Sequence, residues 1–570
     1  MEHIIVREYI ESLNESKELD YIFPLLLESM GFRLISTPIS SKGQSQYGRD
    51  VVAVRKDEDG QYYKYYFELK GFFAKDINDK TLLVKDGFRD SILAAKYTAF
   101  NDASIPRFNS LPIKIIYVHN GILVENTRNT YDGFIQQEFP NGGFERWDIY
   151  RLTELFSQYL FNEYLLTDHE CVRLFKRTLV LLDAPDNDFS DFKQLIDNQL
   201  NKVEIVDLRK RREIINLFSS LKLLLAVVYK YSQENNNLYP AKECVNHTVL
   251  KTWGWILKNR LESKKSIVEK FNALIIIQKQ IYHDYISKTA TLAQYPKGLF
   301  GFMSTTPEVI CYPLRCFDYL NDLLYLFYAS NAYLGDDVRE KIITEQKAVL
   351  INIIKANSGC TSPLLDNHSI TIQLVLKFIL TNSPSQAESQ FVADYISKLT
   401  YNLILTYKKK SRWPELHSNS LELAKSHYKK SEDYCDTSSL LLTFIFELLA
   451  YIHADELYIE LKKVVDESKV NLQVAYPILD LDIEQSLFEK PLYDEMSVEV
   501  GIKLPETLAV FRSGFRKRYT SIEYRTDKTG YFFLRLLAHI YYKTDFFPDE
   551  LNVGFCLPLE PSNLHQDENK

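Results

Sequence analysis

The chain has 570 residues, of which 46% are hydrophobic and 25% are charged, and its formal net charge is -8. This composition is typical of a globular protein with ample apolar core and excludes a disordered chain. An acidic chain is not a general binder of polyanions, so any contact with nucleic acid must come from a local basic patch.

Cysteine usage and hydropathy both favour a cytoplasmic protein. The seven cysteines are scattered along the chain and odd in number, so they form no recognisable disulfide framework. The N-terminus has no basic segment followed by an apolar one, which a signal peptide would need. The most apolar run, residues 438–452, is shorter than the roughly 20 residues that span a bilayer. We therefore expect no membrane contact.

Residues 1 to about 165 are predicted to form one α/β domain. Two amphipathic helices come first, and Gly31 ends the second of them. Strands are then expected near 32–35, at 51–54 and before Lys70, with Asp59-Gly60 as the hairpin turn between the last two. The elements expected after this hairpin are a helix at 88–100, a strand at 113–118, a short strand at 148–150 and a helix at 153–164.

The pattern changes beyond residue 165. Leu- and Tyr-rich segments repeat helical periodicity and are separated by short polar breaks. Residues 166–565 are therefore predicted to be a large all-α region of one or two subdomains, and the charged residues 566–570 a disordered tail.

Three charged residues around the predicted hairpin suggest a chemical site. Side chains alternate along a strand, so Glu68 and Lys70 point to one side, and Asp50, which opens the neighbouring strand, can approach Glu68. Two carboxylates beside an ammonium suit a divalent cation and a phosphodiester. The alternatives are a turn residue at Asp50 and a surface charge pair at Glu68 and Lys70.

These residues resemble the PD-(D/E)XK nuclease superfamily, in particular its Mrr-like restriction-endonuclease branch. That branch shows a helix with an acidic residue before a Gly-aromatic pair, here Asp20 and Gly31-Phe32. A Gly-x-Asp follows, here Gly48-Arg49-Asp50, and then a strand ending Glu-x-Lys, here Glu68-Leu69-Lys70. Arg49 stands where the family name has proline. The resemblance covers about the first 165 residues.

The resemblance implies a restriction-endonuclease-like fold, a mixed central sheet flanked by helices, and a Mg²⁺ site in which Mn²⁺ can substitute. Asp50 and Glu68 would ligate the metal, with the Leu69 carbonyl as a further ligand, while Lys70 would orient or help to deprotonate the attacking water. Asp20 would complete the site. Asp20 can equally be a helix N-cap, in which case the acids that could replace it are Glu28, Glu11 and Glu8.

Two groups of residues are candidates for contact with nucleic acid, because phosphate binding needs only positive charge and amide donors. The loop before Asp50 and the following helix supply them: Gln44, Gln46, Arg49, Arg89 and Lys96. Each alone can also be an ordinary solvated residue.

The sequence therefore predicts a Mg²⁺-dependent endonuclease that hydrolyses DNA, fused to a helical region that regulates it, oligomerises it or senses a trigger. By analogy, such an arrangement serves in prokaryotic antiviral defence. The partners expected besides nucleic acid are a second copy of the chain or a separate ATPase. Two alternatives stay open: an RNA- or tRNA-cleaving nuclease with the same site, and a non-catalytic nucleic-acid-binding scaffold with a degenerate nuclease fold.

Overall fold

The structure is a computed structural model of the full chain. It describes residues 2–38, 49–57, 59–85, 87–102, 108–160, 169–184, 187–203, 211–301, 307–416, 423, 425–426, 430, 432, 434–477, 482–489, 497–515 and 524–544. The predicted tail, 566–570, lies outside these residues.

The chain forms two compact units. The first comprises Met1–Val249 and Glu269–Ile277, and the second comprises Leu250–Val268 and Gln278–Lys570. The first unit contains the predicted α/β domain together with helices that follow it in the chain. The domain limits given above stay predictions.

The first unit begins as a mixture of helices and strands and continues as helices. Its strands are β1 (Arg33–Ser36), β2 (Val51–Lys56), β3 (Tyr62–Lys70), β4 (Ile113–His119) and β5 (Phe144–Trp147). Its helices are α1 (Glu2–Ser12), α2 (Asp20–Ser29), α3 (Asp79–Leu83), α4 (Phe88–Tyr97), α5 (Arg128–Glu138), α6 (Ile149–Tyr159), α7 (His169–Val180), α8 (Ser190–Asn201) and α9 (Arg211–Glu234). Two longer helices, α10 (Tyr239–Lys258) and α11 (Lys265–Ala293), run from one unit into the other.

The five strands form one mixed sheet in the order β1-β2-β3-β4-β5. β2 runs antiparallel to both β1 and β3, whereas β4 runs parallel to both β3 and β5. The predicted hairpin is confirmed: Gly60 adopts φ +81° in the turn, and the Asp57 N–H donates to the Gln61 carbonyl at 2.9 Å. Glycine tolerates that left-handed conformation without steric cost.

Helices cover both faces of the sheet, as expected. On one face, α4 and α5 pack over the even-numbered residues of β2 and β3, and the Phe88 and Tyr117 rings lie 4.7 Å apart. On the other face, Phe23 of α2 contacts Phe67 at 5.3 Å and Trp147 at 6.2 Å. The strand alternation inferred from the sequence thus places Glu68 and Phe67 on opposite faces.

Three predicted elements differ from the structure, and one of them is the helix predicted at 153–164, which is α6 at Ile149–Tyr159. The helix predicted to reach residue 100 ends at Tyr97. The short strand predicted at 148–150 is wrong, because β5 precedes it at Phe144–Trp147. Asp148 is instead the N-cap of α6, where its carboxylate accepts hydrogen bonds from the Tyr150 and Arg151 N–H groups at 3.1 Å. Aspartate is among the best N-caps, which explains why the helix begins there.

The second unit is mainly helical, but it also holds a small sheet that the all-α prediction missed. In this sheet β6 (Ser438–Ser439) runs parallel to β7 (Asn471–Pro477), and β7 runs antiparallel to β8 (Ser497–Ile502). The helices are α12 (Glu308–Asn331), α13 (Asp336–Ala356), α14 (His368–Ile379), α15 (Gln386–Lys410), α16 (Leu440–Tyr451), α17 (Asp455–Ser468), α18 (Ile483–Glu489), α19 (Leu508–Phe515), α20 (Arg525–Thr529) and α21 (Phe533–Tyr542).

One helix among the described residues is long and apolar enough to cross a membrane by length and composition. It covers residues 213–234 within α9, and 61% of its most apolar stretch is buried inside the fold. A core helix packed on all sides has the same composition, so this helix is weak evidence for a membrane.

Candidate active site

The hairpin places Asp50, just before β2, beside the end of β3 that carries Glu68. Val51 pairs with Phe67, and the Asp50 N–H, just before β2, donates to the Phe67 carbonyl at 2.8 Å. The Asp50 carboxylate turns back onto β3, where its Oδ2 accepts from the Leu69 N–H at 2.7 Å. Both carboxylates are nearly buried, with 9% of Asp50 and 4% of Glu68 exposed.

Lys70 completes the group predicted from the sequence. Its Nζ lies 2.8 Å from Glu68 Oε1, and 18% of its side chain is exposed. A second carboxylate, Glu15 Oε1, lies 3.3 Å from the same ammonium. The structure thus brings Asp50, Glu68 and Lys70 together, and it adds Glu15 from the N-terminal helices.

Glu15 reaches this position through an unusual turn. A π-helical turn, Glu15–Leu19, connects α1 to α2, and the Leu19 N–H closes it on the Asn14 carbonyl at 2.9 Å. Pro24 lies one turn into α2 and has no N–H to give to the Asp20 carbonyl, so the start of this helix is weakened. The wide turn before it carries Glu15 to Lys70.

Gly71 allows the turn to approach the end of β3. A Cβ atom at this position would overlap the backbone of Asn14 and Glu15. The Phe72 N–H then donates to the Leu13 carbonyl at 2.9 Å and ties the two segments together. Glycine is needed here for close packing of two backbones, since its φ of -113° is open to other residues.

The cluster holds more negative than positive charge. Three carboxylates face one ammonium, which gives a formal charge of -2 if all four groups are ionised. Burial, followed by repulsion from Glu68, raises the pKa of Asp50 to about 8, and burial also raises the pKa of Glu15. Burial opposes the charged form of Lys70, but the surrounding carboxylates outweigh it and raise its pKa.

These donors suit a small divalent cation by their chemistry. Among the residues that the structure describes, no ready-made group of three or more Asp, Glu, His or Cys side chains could hold a metal ion. Mg²⁺ does not require one, because it keeps several waters and takes only one or two carboxylates from the protein. Asp50 and Glu68 supply such a pair, and their excess negative charge favours a cation.

The carboxyl ends of β4 and β5 add polar residues to the same face and edge. Tyr117 pairs with Glu68, Arg146 pairs with Tyr117, and His119 pairs with Lys70. Burial raises the pKa of Tyr117 and lowers the pKa of His119 to about 4, and His119 Nδ1 lies 2.6 Å from the Lys75 carbonyl. Ligands of open α/β sheets commonly bind at the carboxyl ends of parallel strands, which is where this group lies.

The residues predicted to contact nucleic acid differ in their surroundings. Arg49 is buried, with its Nη1 donating to the Thr98 carbonyl at 2.6 Å and its guanidinium 5.2 Å from the Tyr66 ring centre. Lys96 contacts Glu138 Oε2 at 3.0 Å. Arg89 is exposed and lies over the Phe134 ring at 5.0 Å. Gln44 and Gln46 lie outside the described residues.

Arg49 therefore already serves internal packing between the start of β2 and the end of α4, because its guanidinium has a protein carbonyl and an aromatic face as partners. Arg89 is the more accessible of the two arginines. All five contacts with nucleic acid stay predictions.

Asp20 is the first residue of α2, and the helix-side carboxylate that contacts Lys70 is that of Glu15. Sequence reasoning missed Glu15, because the Glu-x-Lys spacing that it makes with Lys17 is also typical of an ordinary solvated charge pair. The useful signal is the end of the apolar helical pattern at Leu13: an acid directly after that break can turn toward the sheet. The metal roles of Asp20 and the Leu69 carbonyl stay predictions.

Comparisons of the chain with protein-family models, with curated proteins and with solved structures give no match.

Proposed function

We propose that the first unit is a metal-dependent phosphodiesterase of the PD-(D/E)XK type that cleaves DNA. The observation that supports this proposal is the convergence of Asp50, Glu68 and Lys70 on one face, at the carboxyl end of the parallel strands. The mixed five-stranded sheet with helices on both faces is consistent with it.

In this proposal Asp50 and Glu68 hold one Mg²⁺ ion. The bound metal would lower the pKa of a coordinated water and offset negative charge on the phosphate. The Leu69 N–H fixes the orientation of the Asp50 carboxylate through the 2.7 Å hydrogen bond to its Oδ2. This fixed orientation reduces the ordering needed when the metal binds.

Lys70 supplies the positive charge for the reaction. Its ammonium stays protonated at neutral pH because the surrounding carboxylates raise its pKa. In this role it would orient the attacking water and stabilise charge on the phosphate. Glu15 and Glu68 hold the ammonium from two sides.

The test is a cleavage assay with supercoiled plasmid and with total RNA, in Mg²⁺, in Mn²⁺ and in EDTA. Asp50→Asn and Lys70→Met remove one charge each from the site. Asp57→Asn and Lys114→Met are matched controls, because this ion pair, 2.6 Å apart, lies at the opposite end of the same strands.

We expect plasmid nicking that requires metal and falls by about 10²–10⁴-fold in the two site variants, with both controls at the wild-type rate. If only RNA is cleaved, the proposed active site stands and the substrate is RNA rather than DNA. If nucleic acid is bound but never cleaved with either metal, the scaffold alternative replaces the enzyme.

The helical second unit would regulate the nuclease in this proposal. A nuclease without control damages its host, so a regulated effector in antiviral defence is the cellular role that the resemblance implies. The partner could be a second copy of the chain or an ATPase, and a toxicity assay in cells with and without phage would test the role.

A further inference from the structure

Asn120 connects the strands of the site to the helix that delivers Glu15. It follows β4 directly and is fully buried. Its side-chain Nδ2 donates to two carbonyls at the end of α1, those of Ile10 at 2.7 Å and Leu13 at 2.8 Å. These carbonyls are acceptors only, so they fix the orientation of the amide.

The backbone of Asn120 contacts the other side of the site. Its N–H donates to the Lys70 carbonyl at 3.3 Å. One residue therefore bonds both to the residue that carries the ammonium and to the helix end that precedes Glu15. Carbonyls at a helix end need donors from beyond the helix, and here a distant side chain adds a second donor to two carbonyls that each accept a backbone bond as well.

We propose that Asn120 is a positioning residue of the active site, which sets Glu15 against Lys70 by holding the end of α1. The inference rests on the proposed function and deepens it. Without the amide, the Ile10 and Leu13 carbonyls lose their side-chain donor and keep the backbone bonds from the Leu13 N–H at 3.1 Å and the Phe72 N–H at 2.9 Å. Glu15 would then leave Lys70, and the metal site would lose its outer support.

Gly71 gives an independent way to disturb the same segment. Asn120→Ala releases the turn by removing two hydrogen bonds, whereas Gly71→Ala displaces it by steric overlap with Asn14 and Glu15. If Asn120 acts through the position of Glu15, the two variants must have the same effect on the metal site, although they alter different contacts.

The chain offers a matched control for each variant. Asn357 is equally buried, and its Nδ2 donates to two backbone carbonyls, Ala293 at 2.7 Å and Ile353 at 2.9 Å, within the second unit. Asn357→Ala therefore removes the same kind of contact away from the site. Gly133 has open space around it, so Gly133→Ala adds the same methyl group without overlap.

Two measurements test the proposal without relying on cleavage. Hydrogen exchange of a peptide covering residues 13–19 reports whether the turn is held, and Mn²⁺ titration followed by electron paramagnetic resonance reports the metal site. We expect Asn120→Ala and Gly71→Ala to lose protection in that peptide and to raise the half-saturating Mn²⁺ concentration about 10-fold or more. Both controls should match the wild type in that peptide and in Mn²⁺ binding.

Combination with Glu15→Gln separates positioning from general destabilisation. Because both changes act through one carboxylate, Asn120→Ala should add nothing to the Mn²⁺ shift of Glu15→Gln. The proposal would be overturned if the Mn²⁺ shifts of Asn120→Ala and Glu15→Gln multiplied in the double variant, or if residues 13–19 stayed fully protected from exchange in Asn120→Ala. If the wild type neither binds Mn²⁺ nor cleaves, the proposed function fails, and exchange in residues 13–19 alone decides whether Asn120 positions Glu15.

Discussion

Replacement of Lys70 by methionine should destabilise the first unit substantially in the absence of metal. The ammonium is 18% exposed and lies 2.8 Å from Glu68, whose side chain is 6% exposed. Its removal leaves Asp50, Glu68 and Glu15 facing one another without a positive partner. Removal of one partner from a buried ion pair costs about 3–5 kcal/mol.

The lower end of that range applies here, about 3 kcal/mol, because Glu15 is 38% exposed and water screens its share of the interaction. Lys408→Met is the matched control. Lys408 and Glu460 are 2.9 Å apart, but their side chains are 52% and 45% exposed, so this change should cost about 1 kcal/mol or less.

Hydrogen exchange in EDTA measures the free energy of local opening for each variant separately. Peptides from β3 and β4 report the effect of Lys70→Met on the first unit, and peptides from α15 report the effect of Lys408→Met. A Lys70→Met variant whose sheet opens with a free energy within about 1 kcal/mol of the wild type would refute the reasoning. The ammonium would then not be neutralising the buried carboxylates.

The other predictions concern metal, acid and packing. Mg²⁺ at 100 times its dissociation constant should stabilise the wild type by about 2.7 kcal/mol in calorimetry, and should not stabilise a double Asp50→Asn, Glu68→Gln variant. Burial lowers the pKa of His368 to about 3, so between about pH 6.5 and pH 3 this imidazole is protonated in the unfolded chain but neutral in the folded chain. The free energy of unfolding therefore decreases as the pH is lowered, by about 2 kcal/mol at pH 5 relative to neutral pH. His368→Phe should remove that decrease when unfolding is measured in urea. Gly298→Ala should cost about 1–3 kcal/mol in thermal unfolding, because its Cβ would overlap a carbonyl of α11, whereas Gly335→Ala, with open space, should be neutral.

The hairpin and the direct contact between Glu68 and Lys70 could be read from the sequence because both depend on local rules. Asp59-Gly60 selects a tight turn, and strand alternation then fixes which side chains share a face. The approach of Asp50 to Glu68 follows from the same hairpin. These elements required no knowledge of distant contacts.

Glu15 and Asn120 could not be found in that way. Their positions depend on contacts between distant segments, which are 55 residues apart for Glu15 and Lys70 and more than a hundred for the bonds from Asn120 to Ile10 and Leu13. The π-helical turn likewise has no sequence signal beyond the end of the apolar pattern. The strand prediction at 148–150 failed for a local reason, since Asp148 is a helix N-cap and apolar residues next to it suggested a strand.

The charge of the cluster argues for a ligand rather than for stability. An ion pair that only stabilised the sheet would need one carboxylate for its ammonium, as Lys114 and Asp57 show at the opposite end of the same strands. At the carboxyl end, Glu15 and Glu68 both contact Lys70. Asp50 lies beside them, and its pKa is raised to about 8 because burial and Glu68 both oppose its ionisation. Apolar residues in such a place are often as stable or more stable. The excess acids therefore lower the stability of the protein alone, and a divalent cation is the partner that would turn this cost into binding energy.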